Sequence, residues 1–275
     1  MQNLAGKTIV VTGASAGIGA AAARQLHAAG ANVIPVGRSV DKTAAIAKEL
    51  GVEGLTVDYT NLADVRRLAG DLLERCPRID VLANNAGGLW TQRNITVDGY
   101  EQTFQVNCLA PYLLTRLLTD RLRESGGRVV ITTSDNHKTG KVNLADLDSE
   151  QGYKSQKAYA NSKLAAAILN REYARRYPEL GVADFHPGVV ASEFSRDMKL
   201  MHAFANSPLG KPMRHFLTSP EQGAETLVYL SGTTEPLHGG YYVKSKPAKP
   251  AKLASDENLA TELWEITSRR VGLVA

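Results

Sequence analysis

The chain alternates short β-branched runs with longer stretches at helical period, and this alternation constrains its fold more than any other feature. The predicted strands are residues 8–12, 32–36, 54–57, 80–83, 128–132, 182–186 and 239–243. The predicted helices are residues 18–29, 42–50, 62–75, 99–122, 158–177, 220–230 and 256–273, and the helix at 99–122 is expected to be bent or interrupted near Pro111. Because strands joined by helical crossovers run parallel, the pattern predicts an α/β fold, a doubly wound parallel sheet of about seven strands flanked by helices.

Residues 192–219 interrupt this rhythm. The segment carries Met198, Met201, Phe204 and other large apolar residues without a strand pattern. We expect it to form a mobile apolar lid, although a flap that simply packs on the core would have the same composition. A Pro/Lys-rich connector at residues 244–252 precedes the terminal amphipathic helix, 256–273. With no internal repeat, residues 1–275 are expected to form one domain.

Composition and charge narrow the class of partner. Of the 275 residues 43% are apolar, enough for a full core, and 32 basic against 28 acidic side chains leave a formal net charge of +4. This excess is too small and too dispersed to indicate nucleic-acid binding, whereas a mild basic bias suits an anionic cofactor.

The cysteines and the apolar runs indicate where the protein resides. Cys76 and Cys108 lack disulfide or zinc spacing, so we expect buried thiols in a reducing compartment and no metal site. The sequence has no run of about 18 apolar residues and no signal-peptide core near Met1. We therefore expect a cytoplasmic protein without an integral membrane segment.

A glycine-rich loop joins the first predicted strand to the first predicted helix. Residues 12–19 read Thr-Gly-Ala-Ser-Ala-Gly-Ile-Gly, a G-x3-G-x-G spacing. Such a stretch alone could be a turn that needs small residues. Its place between a strand and an Ala-rich helix favours a pyrophosphate site, where the backbone and the positive helix end approach the ligand. The expected cofactor contacts are Gly13, Ser15, Ala16, Gly17, Ile18 and Gly19.

A tyrosine and a lysine one helical turn apart are candidates for proton transfer. A carbonyl reduced by hydride must also receive a proton, and a nearby ammonium favours the phenolate form of tyrosine. Both Tyr159 with Lys163 and Tyr153 with Lys157 have the i,i+4 spacing. We favour Tyr159, because it begins a long apolar helix, whereas Tyr153 follows the polar Gln151-Gly152.

Several motifs together resemble the short-chain dehydrogenase/reductase family. They are the TGxxxGxG loop at residues 12–19, Asn84-Asn85-Ala86-Gly87, Tyr159-Ala160-Asn161-Ser162-Lys163, and Pro187-Gly188. Their order and spacing match the family from about Gly6 to Val243. The stretches at residues 107–111, 161–164 and 186–188, with Leu263-Trp264, are similar to retinol-dehydrogenase-like members. The resemblance implies a single Rossmann-type domain and hydride transfer between a nicotinamide cofactor and a carbonyl or alcohol carbon.

The resemblance also implies the remaining site residues. Tyr159 is the acid/base, Ser134 positions the oxygen, Lys163 binds the ribose and tunes Tyr159, and Asn107 holds a water that leads to Lys163. Thr132 and Thr133 are rivals of Ser134 at the same strand end. Further cofactor contacts are expected from Asp58, Tyr59, Asn85, Ala86, Gly87, Pro187, Gly188, Val189 and Ser192. Purely structural readings stay open for Asp58 as part of a helix start, which Asn61 caps better, and for Asn84 and Asn85 as strand anchors.

The end of the second strand bears on the form of the cofactor. An NAD site usually has a carboxylate there, but the first one after this strand is Asp41, and Arg38 stands in the expected place. A guanidinium suits a 2′-phosphate, although a solvated surface arginine is the alternative. We therefore predict NADP(H) in preference to NAD(H), even though Ser15 and Ala16 add no second positive charge.

The predicted function is interconversion of a carbonyl and an alcohol, on a lipophilic substrate that the apolar segment Phe194 to Phe216 would cover. An enone C=C reductase and a non-catalytic NADP(H)-binding regulator are the alternatives. Ser134 and His137 do not indicate a hydrolase, because no nucleophile elbow surrounds the serine, and His186 is expected to end its strand structurally. Members of the family often form homodimers or homotetramers, and the terminal helix could alter that surface.

Overall fold

The computed structural model describes residues 3–189 and 218–274. The strands are β1 (Thr8–Thr12), β2 (Asn32–Gly37), β3 (Leu55–Thr56), β4 (Val81–Asn84), β5 (Arg128–Thr132), β6 (Gly181–His186), β7 (Gly240–Val243) and β8 (Lys246–Ala248). The helices are α1 (Gly17–Ala28), α2 (Val40–Leu50), α3 (Leu62–Arg75), α4 (Gln102–Phe104), α5 (Ala110–Leu117), α6 (Thr119–Glu124), α7 (Ser155–Arg176), α8 (Pro220–Gly232) and α9 (Glu257–Arg270). Within these ranges, 3₁₀ turns cover Asp135–Thr139 and Lys252–Ser255.

The strands form one sheet in the order β3-β2-β1-β4-β5-β6-β7-β8. Every neighbouring pair is parallel except β7 and β8, which are antiparallel. Two apolar clusters cover the two faces, and adjacent residues of β1 serve opposite sides, Val10 packing in one cluster and Ile9 in the other. The predicted doubly wound α/β fold is confirmed.

The strand count is a correction, because the described part of the chain contains eight strands rather than about seven. The connector predicted at residues 244–252 supplies β8, where Val243 pairs with Lys246 and Tyr242 with Pro247. Its Lys-Pro-Ala sequence lacks β-branched residues and contains a proline, which a sheet tolerates on an edge strand. The pairing therefore comes from a tight return of the chain after β7 rather than from strand propensity.

The helix predicted at residues 99–122 is interrupted near Pro111 as expected, but it starts later and has a further break. It begins at Gln102, passes through a π-helical turn at Gln105–Leu109, and breaks at Leu118 between α5 and α6. Pro111 has no amide hydrogen to donate to the carbonyl of Asn107, so regular α-helical bonding cannot run through this point. Wider turns of this kind are frequent at functional sites, and this one contains Asn107.

The terminal helix α9 packs against α7 and closes the apolar cluster on that side of the sheet. Asp256 caps it by accepting a hydrogen bond from the Leu259 amide. Its Trp264 is fully buried, with the guanidinium groups of Arg116 and Arg176 at 4.7 and 4.6 Å from its ring. Residues 192–217 of the predicted lid lie outside the described residues. Among the helices of the described ranges, none is long and apolar enough to cross a membrane.

Candidate active site

The carboxyl ends of β1, β4, β5 and β6 meet at one edge of the sheet. The order of the strands places β1 next to β4, so the crossovers leave in opposite directions from this pair. In open α/β sheets such a switch point forms the ligand crevice. The glycine loop, the Asn84-Asn85-Ala86-Gly87 turn and Ser134 all follow directly from these strands.

The glycine loop is closed too tightly for any side chain at two of its positions. A Cβ on Gly13 would lie 2.9 Å from the Ala86 Cα, and one on Gly19 would lie 2.3 Å from the Gly13 carbonyl oxygen. Gly13 and Gly17 also have positive φ angles of 68° and 56°. Ala16 has no polar side chain to cap α1, so the first-turn amides of that helix remain available to an anion. These features fit the pyrophosphate of a dinucleotide.

The Asn84-Asn85-Ala86-Gly87 turn is held to the neighbouring strands by side chains. Asn85 donates from Nδ2 to the Thr12 carbonyl at 3.0 Å and accepts at Oδ1 from Thr132 Oγ1 at 3.1 Å. The amides of Asn85 and Ala86 both donate to Thr12 Oγ1. The structural reading of Asn85 is thus supported, because it ties β1, β4 and β5 together. Asn84 donates to Thr115 Oγ1 and stays in the interior.

Tyr159 lies in the first third of α7 and is 6% exposed, with its hydroxyl beside the Ser134 side chain. Burial raises the pKa of Tyr159 to about 12, and the nearby Ser134 hydroxyl acts in the opposite direction. The sequence led us to expect a pKa depressed by Lys163. In the residues described the net shift is upward, because desolvation of the phenolate outweighs the effect of the Ser134 hydroxyl.

Lys163 lies one turn further along α7 and is 3% exposed. Its Nζ donates to the Thr132 carbonyl at 2.8 Å and stands 5.8 Å from the centre of the Tyr159 ring. Burial lowers the pKa of Lys163 to about 8. Gly87 passes close to this group, since a Cβ there would lie 3.2 Å from Nζ and 2.9 Å from Asn107 Oδ1.

The rival pair does not share these surroundings. Tyr153 precedes α7, and its hydroxyl donates to the Trp90 carbonyl at 2.8 Å and lies 3.3 Å from Thr103 Oγ1. Lys157 is exposed. Because α7 begins at Ser155, only Tyr159 and Lys163 lie on one helix with both side chains buried.

The three hydroxyls at the end of β5 point in different directions. Thr132 donates to Asn85, and Thr133 donates to Asp184 Oδ2 at 3.0 Å and to the Phe185 carbonyl at 3.1 Å. Both threonines are buried, whereas Ser134 is half-buried and meets Tyr159. Of the three hydroxyls, that of Ser134 is the one beside Tyr159, and it also accepts from the Asn136 amide at 3.2 Å.

Asn107 uses both ends of its amide within the protein. Oδ1 accepts from the Gly88 amide at 2.8 Å, while Nδ2 donates to the Gly88 carbonyl at 2.9 Å and to Ser162 Oγ at 3.0 Å. Ser162 in turn donates to the Tyr159 carbonyl at 2.8 Å. The side chain thus anchors the loop after β4 and the helix that carries Tyr159. The water between Asn107 and Lys163 stays a prediction. Ser162 was missed as a contributor, although it lies inside the Tyr159–Lys163 motif.

The residues expected around the adenosine part of the cofactor lie in different surroundings. Arg38 is exposed directly after β2, and Ser15 packs against Gly37, where a Cβ would lie 2.8 Å from that of Ser15. Asp58 accepts from the amide and hydroxyl of Thr60 at 2.9 and 2.8 Å. Asn61 caps α3, as the sequence indicated.

Tyr59 and the segment after β6 complete the expected set. Tyr59 is buried in the core cluster, and its carbonyl accepts from Gln105 Nε2 at 3.1 Å, so its side chain packs in the interior instead of lining the crevice. Pro187, Gly188 and Val189 follow β6, with Gly188 at φ +90°. The Val189 carbonyl accepts from the Thr218 amide at 2.9 Å. Ser192 lies outside the described residues.

Neither His137 nor the cysteines provide another chemistry here. His137 Nδ1 bonds to the carbonyl of Ser134, not to its hydroxyl, and Nε2 accepts from the Ala251 amide. Cys76 and Cys108 are buried and unpaired with one another, and burial raises the pKa of Cys108. Within residues 3–189 and 218–274, no three His, Cys, Asp or Glu side chains are grouped to hold a metal ion.

Known proteins are similar to this chain in sequence and in fold. The family model described as short chain dehydrogenase matches residues 7–202. A Streptomyces sp. (strain C5) protein, named as a candidate daunorubicin C-13 ketoreductase, is 37% identical over 278 residues, which cover 98% of this chain and 94% of the relative. Human retinol dehydrogenase 13 is 35% identical over 284 residues, covering 98% and 86%.

Among solved structures, the Pseudomonas aeruginosa protein RhlG in an active-site complex with NADP has a TM-score of 0.71 at 28% identity, covering 87% of this chain and 94% of that one. The resemblance drawn from the motifs is confirmed. The chain therefore belongs to the short-chain dehydrogenase/reductase family, in its retinol-dehydrogenase-like branch, and is an NAD(P)-dependent oxidoreductase acting on a small-molecule substrate.

Proposed function

We propose that this chain interconverts a ketone or aldehyde and the corresponding alcohol with NADP(H), and that Tyr159 transfers the proton. One observation carries the proposal: the hydroxyl of Tyr159 meets Ser134 at the carboxyl end of β5, with the buried ammonium of Lys163 beside the tyrosine ring. A proton donor, an oxygen-binding hydroxyl and a nearby cation are what a carbonyl oxygen needs as it gains charge.

Each residue has a separate task. When bound, the nicotinamide cofactor supplies or accepts the hydride at the reacting carbon. Ser134 holds the substrate oxygen by a hydrogen bond, and Tyr159 donates its hydroxyl proton to that oxygen during reduction. Lys163 binds the ribose and stabilises the phenolate that remains. Asn107 holds α7 and the Gly88 loop at a set distance, so that the tyrosine stays in place.

The cofactor would be held by the glycine loop and its surroundings. The uncapped first turn of α1 and the close approach of Gly13 and Gly19 suit the pyrophosphate. Arg38, exposed after β2, suits the 2′-phosphate of NADP(H), because the first carboxylate after that strand is Asp41, inside α2. The NADP complex of the related Pseudomonas protein agrees with this preference.

We also propose that the substrate is lipophilic. The names of the relatives refer to retinol, a long apolar alcohol, and to a ketone of daunorubicin, a polycyclic compound. In this chain Val189, 62% exposed, follows the Pro187-Gly188 turn at the mouth of the crevice. The segment from Phe194 to Phe216, which lies outside the described residues, is rich in Met and Phe, a composition that suits a lipophilic substrate.

The test is oxidation of NADPH and of NADH with a panel of carbonyl compounds: polyene aldehydes, aromatic and polycyclic ketones, small polar ketones, and enones. We expect turnover with NADPH, higher kcat/KM for the apolar members, and alcohols as products by NMR. A saturated ketone from an enone would indicate a C=C reductase instead. Tight NADPH binding without turnover on any compound would indicate a binding protein and contradict the proposal.

A further inference from the structure

Two histidines hold the backbone on either side of the Ser134 side chain. The carbonyl of Ser134 is bonded to His137 Nδ1 at 2.5 Å, and the next amide, that of Asp135, donates to His186 Nδ1 at 3.2 Å. The first contact comes from the 3₁₀ turn that follows Ser134, and the second from the last residue of β6. The peptide unit that joins Ser134 to Asp135 is therefore held at both its oxygen and its nitrogen.

The hydrogen bonds define the protonation of both rings. His137 accepts from the Ala251 amide at Nε2, at 3.0 Å, so its proton is on Nδ1, which donates to the Ser134 carbonyl. His186 accepts at Nδ1, so its proton is on Nε2. Each ring is neutral, and the two are opposite tautomers. An imidazolium in either place would turn an acceptor into a donor that faces an amide hydrogen.

Both rings are themselves fixed by the fold. His137 is fully buried, its ring centre 4.8 Å from that of Tyr241, and its bond to Ala251 connects the turn after Ser134 with the segment after β8. His186 continues the pairing of β6 with β5, in which the Thr133 amide donates to the Phe185 carbonyl at 2.8 Å. Motion of Ser134 would thus require movement of β6 and of the segment that follows β8.

We propose that His137 and His186 are positioning residues, which hold the Ser134 hydroxyl in register with Tyr159 through these two opposite neutral tautomers. This inference rests on the proposed role of Ser134. Holding the Ser134–Asp135 peptide in this way requires neither a charged group nor a bound ligand. It needs one donor at the Ser134 carbonyl and one acceptor at the Asp135 amide.

The charged groups around the two rings leave them neutral at physiological pH. Asp135, Lys138 and Arg171 face His137, and burial is the largest cause of its lowered pKa. Asp135, Lys138 and His137 face His186, whose pKa is also lowered, mainly by burial. Protonation of His186 would turn Nδ1 into a donor that faces the Asp135 amide and would release that side of the peptide. Protonation of His137 would break its bond to the Ala251 amide but keep its donor to the Ser134 carbonyl. We therefore expect the activity to fall on the acid side mainly through His186.

The kinetic test compares two substitutions at His186. Asparagine places an oxygen near the position of Nδ1 and keeps an acceptor for the Asp135 amide, whereas leucine fills similar space without one. With NADPH and the carbonyl compound that the wild type reduces fastest, H186L should lower kcat by about tenfold at unchanged NADPH affinity. H186N should stay within about threefold of the wild type. Equal losses in the two variants would contradict the proposal.

A double-mutant cycle with Ser134 separates this inference from the proposed function. If His186 acts through Ser134, H186L should have little further effect in an S134A background, because the positioned group is already absent. Additive losses would overturn the inference while leaving the proposed function intact. Full activity of S134A alone would instead show that the proposed role of Ser134 is wrong. Thermal unfolding of each variant checks that the fold is retained.

A spectroscopic test does not depend on turnover. Long-range ¹H–¹⁵N NMR correlations, assigned with H137N and H186N, distinguish the two neutral tautomers of each histidine. We expect the proton on Nδ1 for His137 and on Nε2 for His186, with both rings neutral at pH 7. The same tautomer at both positions, or a charged ring at pH 7, would overturn the proposal.

Discussion

Lys163 Nζ donates a 2.8 Å hydrogen bond to the carbonyl of Thr132, two residues before Ser134. The bond joins the middle of α7 to the carboxyl end of β5, and it thereby sets the distance between the helix that carries Tyr159 and the strand that carries Ser134. The same lysine is buried, with a pKa lowered to about 8. The Lys163 ammonium group therefore both connects α7 to β5 and places a buried positive charge near Tyr159.

Lys163→Met should change the pH dependence of stability as well as the activity. In the wild type the unfolded chain holds the Lys163 proton up to about pH 10.4, and the folded chain loses it near pH 8. Between these values the unfolded state binds more protons, so this group makes the free energy of unfolding rise with pH, and the contribution is lost as pH falls through 8. The variant should lack that rise. Denaturant unfolding at pH 7 to 10 measures this rise. The same change of the free energy of unfolding with pH in variant and wild type would contradict the burial of the charge.

Tyr159→Phe should lower kcat about 100-fold or more while NADPH still binds, because the ring stays in place and only the transferable proton is removed. Tyr153→Phe is the matched control, since its hydroxyl contacts Trp90 and Thr103 outside α7. Steady-state rates and NADPH fluorescence titration are the measurements. Loss of activity in the Tyr153 variant alone would reverse the assignment.

Arg38→Asp should shift the preference toward NAD(H), because a carboxylate repels a 2′-phosphate and accepts hydrogen bonds from ribose hydroxyls. We expect the ratio of kcat/KM for NADPH to that for NADH to fall by about 100-fold, or about 2.7 kcal/mol. Lys252→Asp makes the same change of charge at an exposed site after β8 and should leave the ratio as it is. An unchanged ratio in the Arg38 variant would remove this residue from the cofactor site.

Gly19→Ala should weaken NADPH binding by at least about tenfold and destabilise the chain by about 1–3 kcal/mol, since the added methyl would lie 2.3 Å from the Gly13 carbonyl and 2.6 Å from Asn85 Nδ2. Gly70→Ala is the control, because Gly70 lies within α3 and a Cβ there meets nothing within 4 Å. That variant should gain about 0.5–1 kcal/mol and bind NADPH normally. Calorimetry and NADPH titration compare the two, and similar losses in both would show that the loop is not the cause.

Asp184→Asn should stabilise the protein at alkaline pH. Asp184 is fully buried in β6, its Oδ1 has no partner among the residues described, and burial raises its pKa to about 7. The folded state therefore holds a proton that the unfolded state releases near pH 3.8, so stability falls as pH rises, by up to about 1.4 kcal/mol per unit until about pH 7. The asparagine variant should lack this fall. The measurement is the free energy of unfolding of both proteins at pH 5 and at pH 8. A difference between variant and wild type that is the same at the two pH values would contradict the raised pKa of Asp184.

Local patterns in the sequence determined the elements that depend on neighbouring residues. The bounds of β1, β5 and α3 agree with the predicted ranges, and Asn61 caps α3 as expected. The i,i+4 spacing of Tyr159 and Lys163 follows from helix geometry alone once residues 158–177 are recognised as helical. Side-chain period and capping chemistry are properties of short segments, so the sequence contains them directly.

Contacts between distant segments were decided only by the tertiary structure. The pairing of β8 with β7, the π-helical turn at Asn107 and the burial of Tyr59 depend on how the chain returns and what it packs against. So does the choice of Ser134 over its threonine neighbours, because Thr133 turns toward Asp184, 51 residues away. His137 and Ala251 are 114 residues apart and meet at 3.0 Å. No local pattern encodes such a distance, since it results from the closure of the whole sheet and its helices around one core.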